Sequence, residues 1–171
     1  MAITINGTTG IAGVDGSAST PAVQGTDTNT GLFFGADTIS FSEGGTQVGE
    51  FDSSANFKFN SGYGSVVTAY GCRAWVNFNG TGTPAIRASG NVSSITDGGT
   101  GIYTINFTTA LVDANYSICA SCGRSSGSFA GNVVEAPASA APTTSALAIY
   151  TVRSDTIALA DVSNIQVAVF R

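Results

Sequence analysis

The sequence predicts an all-β chain: a slender N-terminal β stalk followed by a C-terminal β-sandwich or jelly-roll-like knob. Three observations lead there. Between residues 27 and 59, in "DTNTGLFFGADTISFSEGGTQVGEFDSSANFKF", apolar residues come in runs of one to three, interrupted every few positions by Gly, Asp, Asn or Ser. Turn residues at that density forbid a long helix. The short runs alternate with period two, so that Ile39 and Phe41 share one face of a strand while Ser40 and Ser42 share the other. From about Tyr70 the runs lengthen and turn signals fall between them regularly, the spacing of a β-sandwich.

Taken in order, "MAITINGTTGIAG" (1–13) reads as a short strand carrying Ile3 and Ile5 and ending at Asn6-Gly7, a strong hairpin dipeptide. Residues 14–31, "VDGSASTPAVQGTDTNTG", are nearly all small and polar and read as an extended linker. Short strands "LFF", "TISFSE" and "GEF" follow, separated by "GAD", "GG" and "DSSAN". In the second part, "CRAWVNFN" (72–79) sets Cys72, Ala74, Val76 and Phe78 on one face, with Trp75 on the other. "GTPAIRAS", "GNVSSIT", "GIYTINFTTAL" (with Tyr103, Ile105 and Phe107 aligned), "YSICASC", "ALAIYTVR", "TIALAD" and "IQVAVFR" are the remaining strands. Two loops, 123–132 and 137–144, are long enough to serve partner contacts, or to be plain solvated connectors. The resulting division is 1–13, 14–68 and 69–171.

Composition narrows the function. Hydrophobic residues make up 43% of the 171, but charged residues only 10%, so Ser, Thr, Asn and Gly must coat the surface. Residues 1–60 hold six acids (Asp15, Asp27, Asp37, Glu43, Glu50, Asp52) against Lys58, whereas residues 61–171 balance five acids with five arginines. That split suggests two parts with different jobs. No basic patch is dense enough to neutralise a row of phosphates, so nucleic acid is not an expected partner. The opening lacks a basic start and an apolar core, and no stretch approaches the roughly 18 apolar residues of a membrane span, so neither ordinary secretion nor membrane insertion is expected.

Catalytic and metal chemistry find little support. Histidine is absent, which removes the usual base for a Ser or Cys nucleophile. Asp52 with Glu50, and Asp155 with Asp161, are the only nearby carboxylate pairs that could hydrolyse a glycan; Asp52 reads better as a turn cap. Cys119 and Cys122 sit three apart on a strand, so their side chains diverge, and buried free thiols are the expectation. Oxygen ligands from Asp27, Asn29, Asp37, Glu43 and Asp52 could approach symmetry mates, but no ordered calcium loop is present, and no cofactor or metal is expected. Trp75 beside Arg73 would suit sugar stacking if exposed, or be covered at an interface; Arg124 and Phe129 are the other candidates for surface recognition.

The stretch "GSASTPAVQGTDTNTGLFFGADTISFSEGGTQVGEFDSSANF" resembles a unit common in bacteriophage tail-fibre proteins. "CRAWVNFNGTGTPAIRASGNVSSITDGGTGIYTINFTTALVDANYSI" is similar to the C-terminal domain on virion proteins of marine and cyanobacterial phages, and "IQVAVFR" fits that family's closing strand. Together these cover most of residues 14–118. The resemblance implies a homotrimeric structural virion protein: a short tail fibre assembled in the host cytoplasm and exposed on the particle. It would hold another virion protein through residues 1–13 and a host-surface glycan or protein through its knob. A capsid decoration or head-fibre protein is the alternative; a glycan-degrading tailspike is a more distant one. Elementary energetics also favours three chains around an axis, because a strand pair with one apolar face is unstable alone. Phe33, Phe34, Ile39, Phe41, Phe51 and Phe57 are the expected trimer interface, each phenylalanine worth roughly 1.5–3 kcal/mol when buried.

Overall fold

The computed structural model describes residues 4–7, 10–62, 64–123, 131–135, 140–153 and 155–171, with residues 4–6, 10–12 and 131–135 as backbone only. Every regular element of any length among them is a β-strand, and every strand pairing is antiparallel. The chain divides into two compact units, Met1–Ala69 and Tyr70–Arg171.

In the first unit, β1 (Thr4–Asn6) and β2 (Gly10–Ala12) make a hairpin of their own. The rest is a six-stranded meander in simple sequence order: β3 (Val23–Gln24), β4 (Gly31–Gly35), β5 (Thr38–Glu43), β6 (Thr46–Phe51), β7 (Phe57–Phe59) and β8 (Val67–Thr68). The turns explain the sharp reversals. Gly44 and Gly45 between β5 and β6 both take positive φ, 56° and 79°, the demand of a two-residue hairpin turn whose twist suits its strands. At the β6–β7 turn, Asp52 Oδ1 accepts the backbone N–H groups of Ser54 and Asn56, both at 2.9 Å. The cap expected there from "DSSAN" is therefore present.

The linker expected over 14–31 is corrected. This segment folds onto the meander: Gly16 bridges to Pro21, and Phe34 N–H donates to the Asp15 carbonyl at 2.8 Å. The Ser42 hydroxyl reaches the carbonyls of Ala18 and Asn29, the latter at 3.0 Å. Small polar residues need only backbone carbonyls aimed at a serine to pack there, which composition does not reveal.

The second unit holds two four-stranded sheets, in a β-sandwich-like arrangement. One runs β10 (Ala85–Gly90), β9 (Cys72–Asn79), β16 (Ile165–Phe170), β13 (Ser117–Cys122). The other runs β11 (Val92–Asp97), β12 (Ile102–Phe107), β15 (Ala146–Arg153), β14 (Gly131–Glu135). Alternate residues from both sheets enclose one core: Ala74, Val76 and Phe78 of β9, Ile165, Val167 and Val169 of β16, Tyr103, Ile105 and Phe107 of β12, and Leu147 and Ile149 of β15. The Phe78 and Tyr103 rings meet edge to face at 5.3 Å. The Tyr103 hydroxyl lies 2.8 Å from the Gly80 carbonyl and 2.9 Å from Asp161 Oδ1, so a polar group at the centre of the core is satisfied.

Three further expectations are corrected. Cys72 is exposed and leaves the inward row, because the β9–β16 register slips between Val169 and Phe170 and the extra residue puts it out of step with Ala74. Cys119 is exposed and Cys122 only half-buried, so these thiols are not both core residues, although their side chains do diverge. "TIALAD" makes no strand, only a bridge from Leu159 to Val152, while "GNVVE" forms β14.

Candidate functional site

Pairing in the meander sorts its residues onto two faces with opposite chemistry. Cross-strand partners share a face. On one face stand Val23 opposite Leu32, Leu32 opposite Phe41, Phe34 opposite Ile39, Ile39 opposite Phe51, Phe51 opposite Phe57 and Phe59 opposite Val67. Every one of these is apolar. On the other face stand Ser40, Ser42, Gln47, Glu50 and Lys58.

The polar face is the covered one. Ser40 and Ser42 are 2% and 4% exposed, whereas Phe51 is 46%, Ile39 45%, Phe57 44% and Phe59 40% exposed. The aromatic rings run in contact across the sheet: Phe41 to Phe51 at 6.5 Å, Phe51 to Phe57 at 5.3 Å, Phe57 to Phe59 at 6.1 Å. Gly49, opposite Phe41 and Phe59, carries no side chain, and Phe41, Val48, Phe57 and Phe59 wall a dimple of about 280 Å³ around it.

Of the expected interface residues, Phe34, Ile39, Phe41, Phe51 and Phe57 share this apolar face. Phe33 does not: it pairs with Ser40 on the opposite side, because neighbours in a strand cannot face the same way. Leu32, Phe59, Val67 and Val23 belong to the face and were missed. The register that places them depends on turn lengths, above all the slip between Phe41 and Ser42 that lets Val48 drop out of step.

Charge on the polar face is organised around Lys58. Its Nζ lies 3.1 Å from Glu50 Oε1 and 2.9 Å from Asp52 Oδ2. Gln47 Nε2 donates to Glu50 Oε2 at 2.7 Å. Lys58 first, then the Asn56 N–H, hold the Asp52 carboxyl well below its ordinary value, and the same bridge raises Lys58. Both acids of this pair are thus engaged by one lysine. Asp155 and Asp161 likewise have separate tasks: the first chelates Arg153 through two hydrogen bonds at 3.1 Å, the second accepts from Tyr103 and from Gly101 N–H. No group of three or more His, Cys, Asp or Glu gathers as a metal site among the described residues.

In the second unit Trp75 is 44% exposed on the outer face of the β10-β9-β16-β13 sheet. It borders a groove of about 360 Å³ with Asn77, Cys119, Ser121, Gln166 and Ala168. Arg124 and Phe129 lie outside the described residues. No family model matches the chain, and comparison with curated proteins and with solved structures returns no match either. An all-β chain with two antiparallel units is therefore the class that fold and surface define.

Proposed function

We propose that the chain is a structural virion protein of a bacteriophage, a short trimeric fibre that attaches the particle to a host surface. The observation that carries this reading is the aromatic face of the meander. Phe51, Phe57 and Phe59, in contact in series, each stand 40% exposed or more on one side of a sheet whose other side is covered at Ser40 and Ser42. An exposed apolar patch of that continuity marks an interaction surface. Self-association around a three-fold axis would bury it in every chain at once and leave no open contact to propagate. The dimple at Gly49 gives such a contact a place for an inserted ring.

The second unit is the displayed part in this reading. Attachment would come from avidity: three copies per fibre and several fibres per particle strengthen weak contacts by roughly 10²–10⁴-fold per linked event. The carboxylates described above are engaged in ion pairs and turn caps, which supports binding without turnover. Sedimentation equilibrium of the purified chain at micromolar concentration is the test. A mass three times 17.1 kDa is expected; a monomer would overturn the reading.

A further inference from the structure

The outer face of the β10-β9-β16-β13 sheet has a construction that the core does not require. Two cross-strand rows run over it. Cys119, Ala168, Trp75 and Gly90 form the first, and Ser121, Gln166 and Asn77 the second. In the first row the indole lies down over its neighbour: a Cβ on Gly90 would overlap Trp75 Nε1 and come within 2.8 Å of Cδ1. The five-membered ring of the indole thus lies against bare backbone, and the side chain is 44% exposed. On its other flank the small side chain of Ala168 leaves the groove open as far as Cys119.

The second row supplies hydrogen-bonding groups beside that ring. The Ser121 hydroxyl donates to Gln166 Oε1 at 3.2 Å, which turns the Gln166 amide nitrogen away from Ser121. Arg87 Nη1 donates to Asn77 Oδ1 at 3.2 Å, and Nη2 to the Ser163 carbonyl, so the guanidinium is held at the end of the row. Two residues along β9 separate Asn77 from Trp75, roughly 7 Å. The four strands carry Arg73 and Arg87 and no Asp or Glu.

We propose that this groove binds an acidic glycan, with the C–H face of one pyranose ring stacked on Trp75, its hydroxyls taken by Asn77, Gln166 and Ser121, and a carboxylate of the same or the adjoining sugar taken by Arg87. An aromatic plane flanked by neutral amides and a hydroxyl matches a sugar, apolar on its ring faces and polar around its edge. A fixed guanidinium on strands without acids selects a negative charge among sugars. A second copy of this chain seated on Trp75 would not need the row of amides. This assignment rests on reading the chain as an attachment protein, and names the surface that would perform it.

Trp75 is the only tryptophan in the chain, so its fluorescence reports this groove alone. The full chain is titrated with oligogalacturonate, with a neutral gluco-oligosaccharide of the same length in parallel, by fluorescence and calorimetry. The expected result is a saturable emission change with oligogalacturonate, weakened by salt. Trp75→Ala should weaken the calorimetric affinity by roughly tenfold or more, and Gly90→Ala, which pushes the indole off its seat, should do likewise. Arg87→Gln should bring the acidic sugar down to the level of the neutral one. Far-ultraviolet circular dichroism and sedimentation of each variant guard against misfolding. Three results would each overturn the proposal: no emission change with either sugar, equal affinity for both in the unaltered chain, or a change of oligomeric mass in Trp75→Ala. A trimer that binds neither sugar would remove this site and leave the fibre reading standing, whereas a monomer that binds would do the reverse.

Discussion

Lys58 is the only basic side chain in residues 1–60, and the bridge it forms gives the first unit a definite pH signature. Asp52 has its folded value lowered from 3.8, so its contribution is fully present above that value and is lost as pH falls through the folded one. Lys58 is raised from 10.5, so its contribution is present below that value and is lost as pH rises beyond it. Both groups are solvent-screened and the effect is modest. Replacing Lys58 with Met should lower the thermal midpoint of the first unit at pH 7 by no more than about 5 °C. The same change should shrink the midpoint's fall between pH 4 and pH 2. Thermal melts by circular dichroism across that range check both; an unchanged acid slope in Lys58→Met would assign Asp52's shift to its backbone donors instead. At this scale the sequence was informative about Asp52, whose place in "DSSAN" announces a capped turn. It was silent about Lys58, because nothing local says which carboxylates will stand opposite.

At the scale of the element, strands β4 to β7 make one apolar wall from residues that are nowhere adjacent in the chain. Their pairing makes a single prediction. Phe51 stands at the middle of the ring series, touching Phe41 and Phe57, and is 46% exposed. In Phe51→Glu a carboxylate would have to lose its water at any buried interface, at a cost of several kcal/mol per chain. The variant should sediment as a monomer at concentrations where the proposed trimer of the unaltered chain is expected. Lys58→Met, on the opposite face, should leave the mass unchanged. Period-two alternation makes the apolar face of β5 legible from its six residues alone. Phe33 shows the limit: in "GLFFG" two adjacent phenylalanines must part, and only the pairing of Phe33 with Ser40 tells which goes where. Phe59 and Val67 were hidden for a related reason, since β7 and β8 are only three and two residues long, too short to display a period.

At the scale of the whole molecule, the two units bury their apolar residues to different extents. Tyr70–Arg171 encloses its own core, with Phe78, Tyr103, Ile149 and Ile165 fully buried. Met1–Ala69 buries two serines of its meander and leaves its phenylalanines half open. Heating should therefore give two transitions by calorimetry. One, from the first unit, should rise in temperature with protein concentration, as mass action requires when association supplies the burial. The other should be independent of concentration. A single concentration-independent transition would contradict this division.

By itself, the amino-acid sequence determined that this protein is built of strands. Short alternating runs and dense turn residues leave no helix of useful length, and β5, β9 and β15 begin and end where those runs do. It also determined the inward row of the second unit apart from Cys72, because alternation along a long strand is a local property until a bulge interrupts it. Only the tertiary structure decided what those faces meet. The polar residues 15–30 cover a serine face and leave the aromatic one open. Trp75 lies over a glycine fifteen residues away, beside a glutamine ninety-one residues away. Such juxtapositions are set by register between strands distant in the chain. Register follows from turns, bulges and the competition between whole faces for cover, none of which any single stretch of residues encodes.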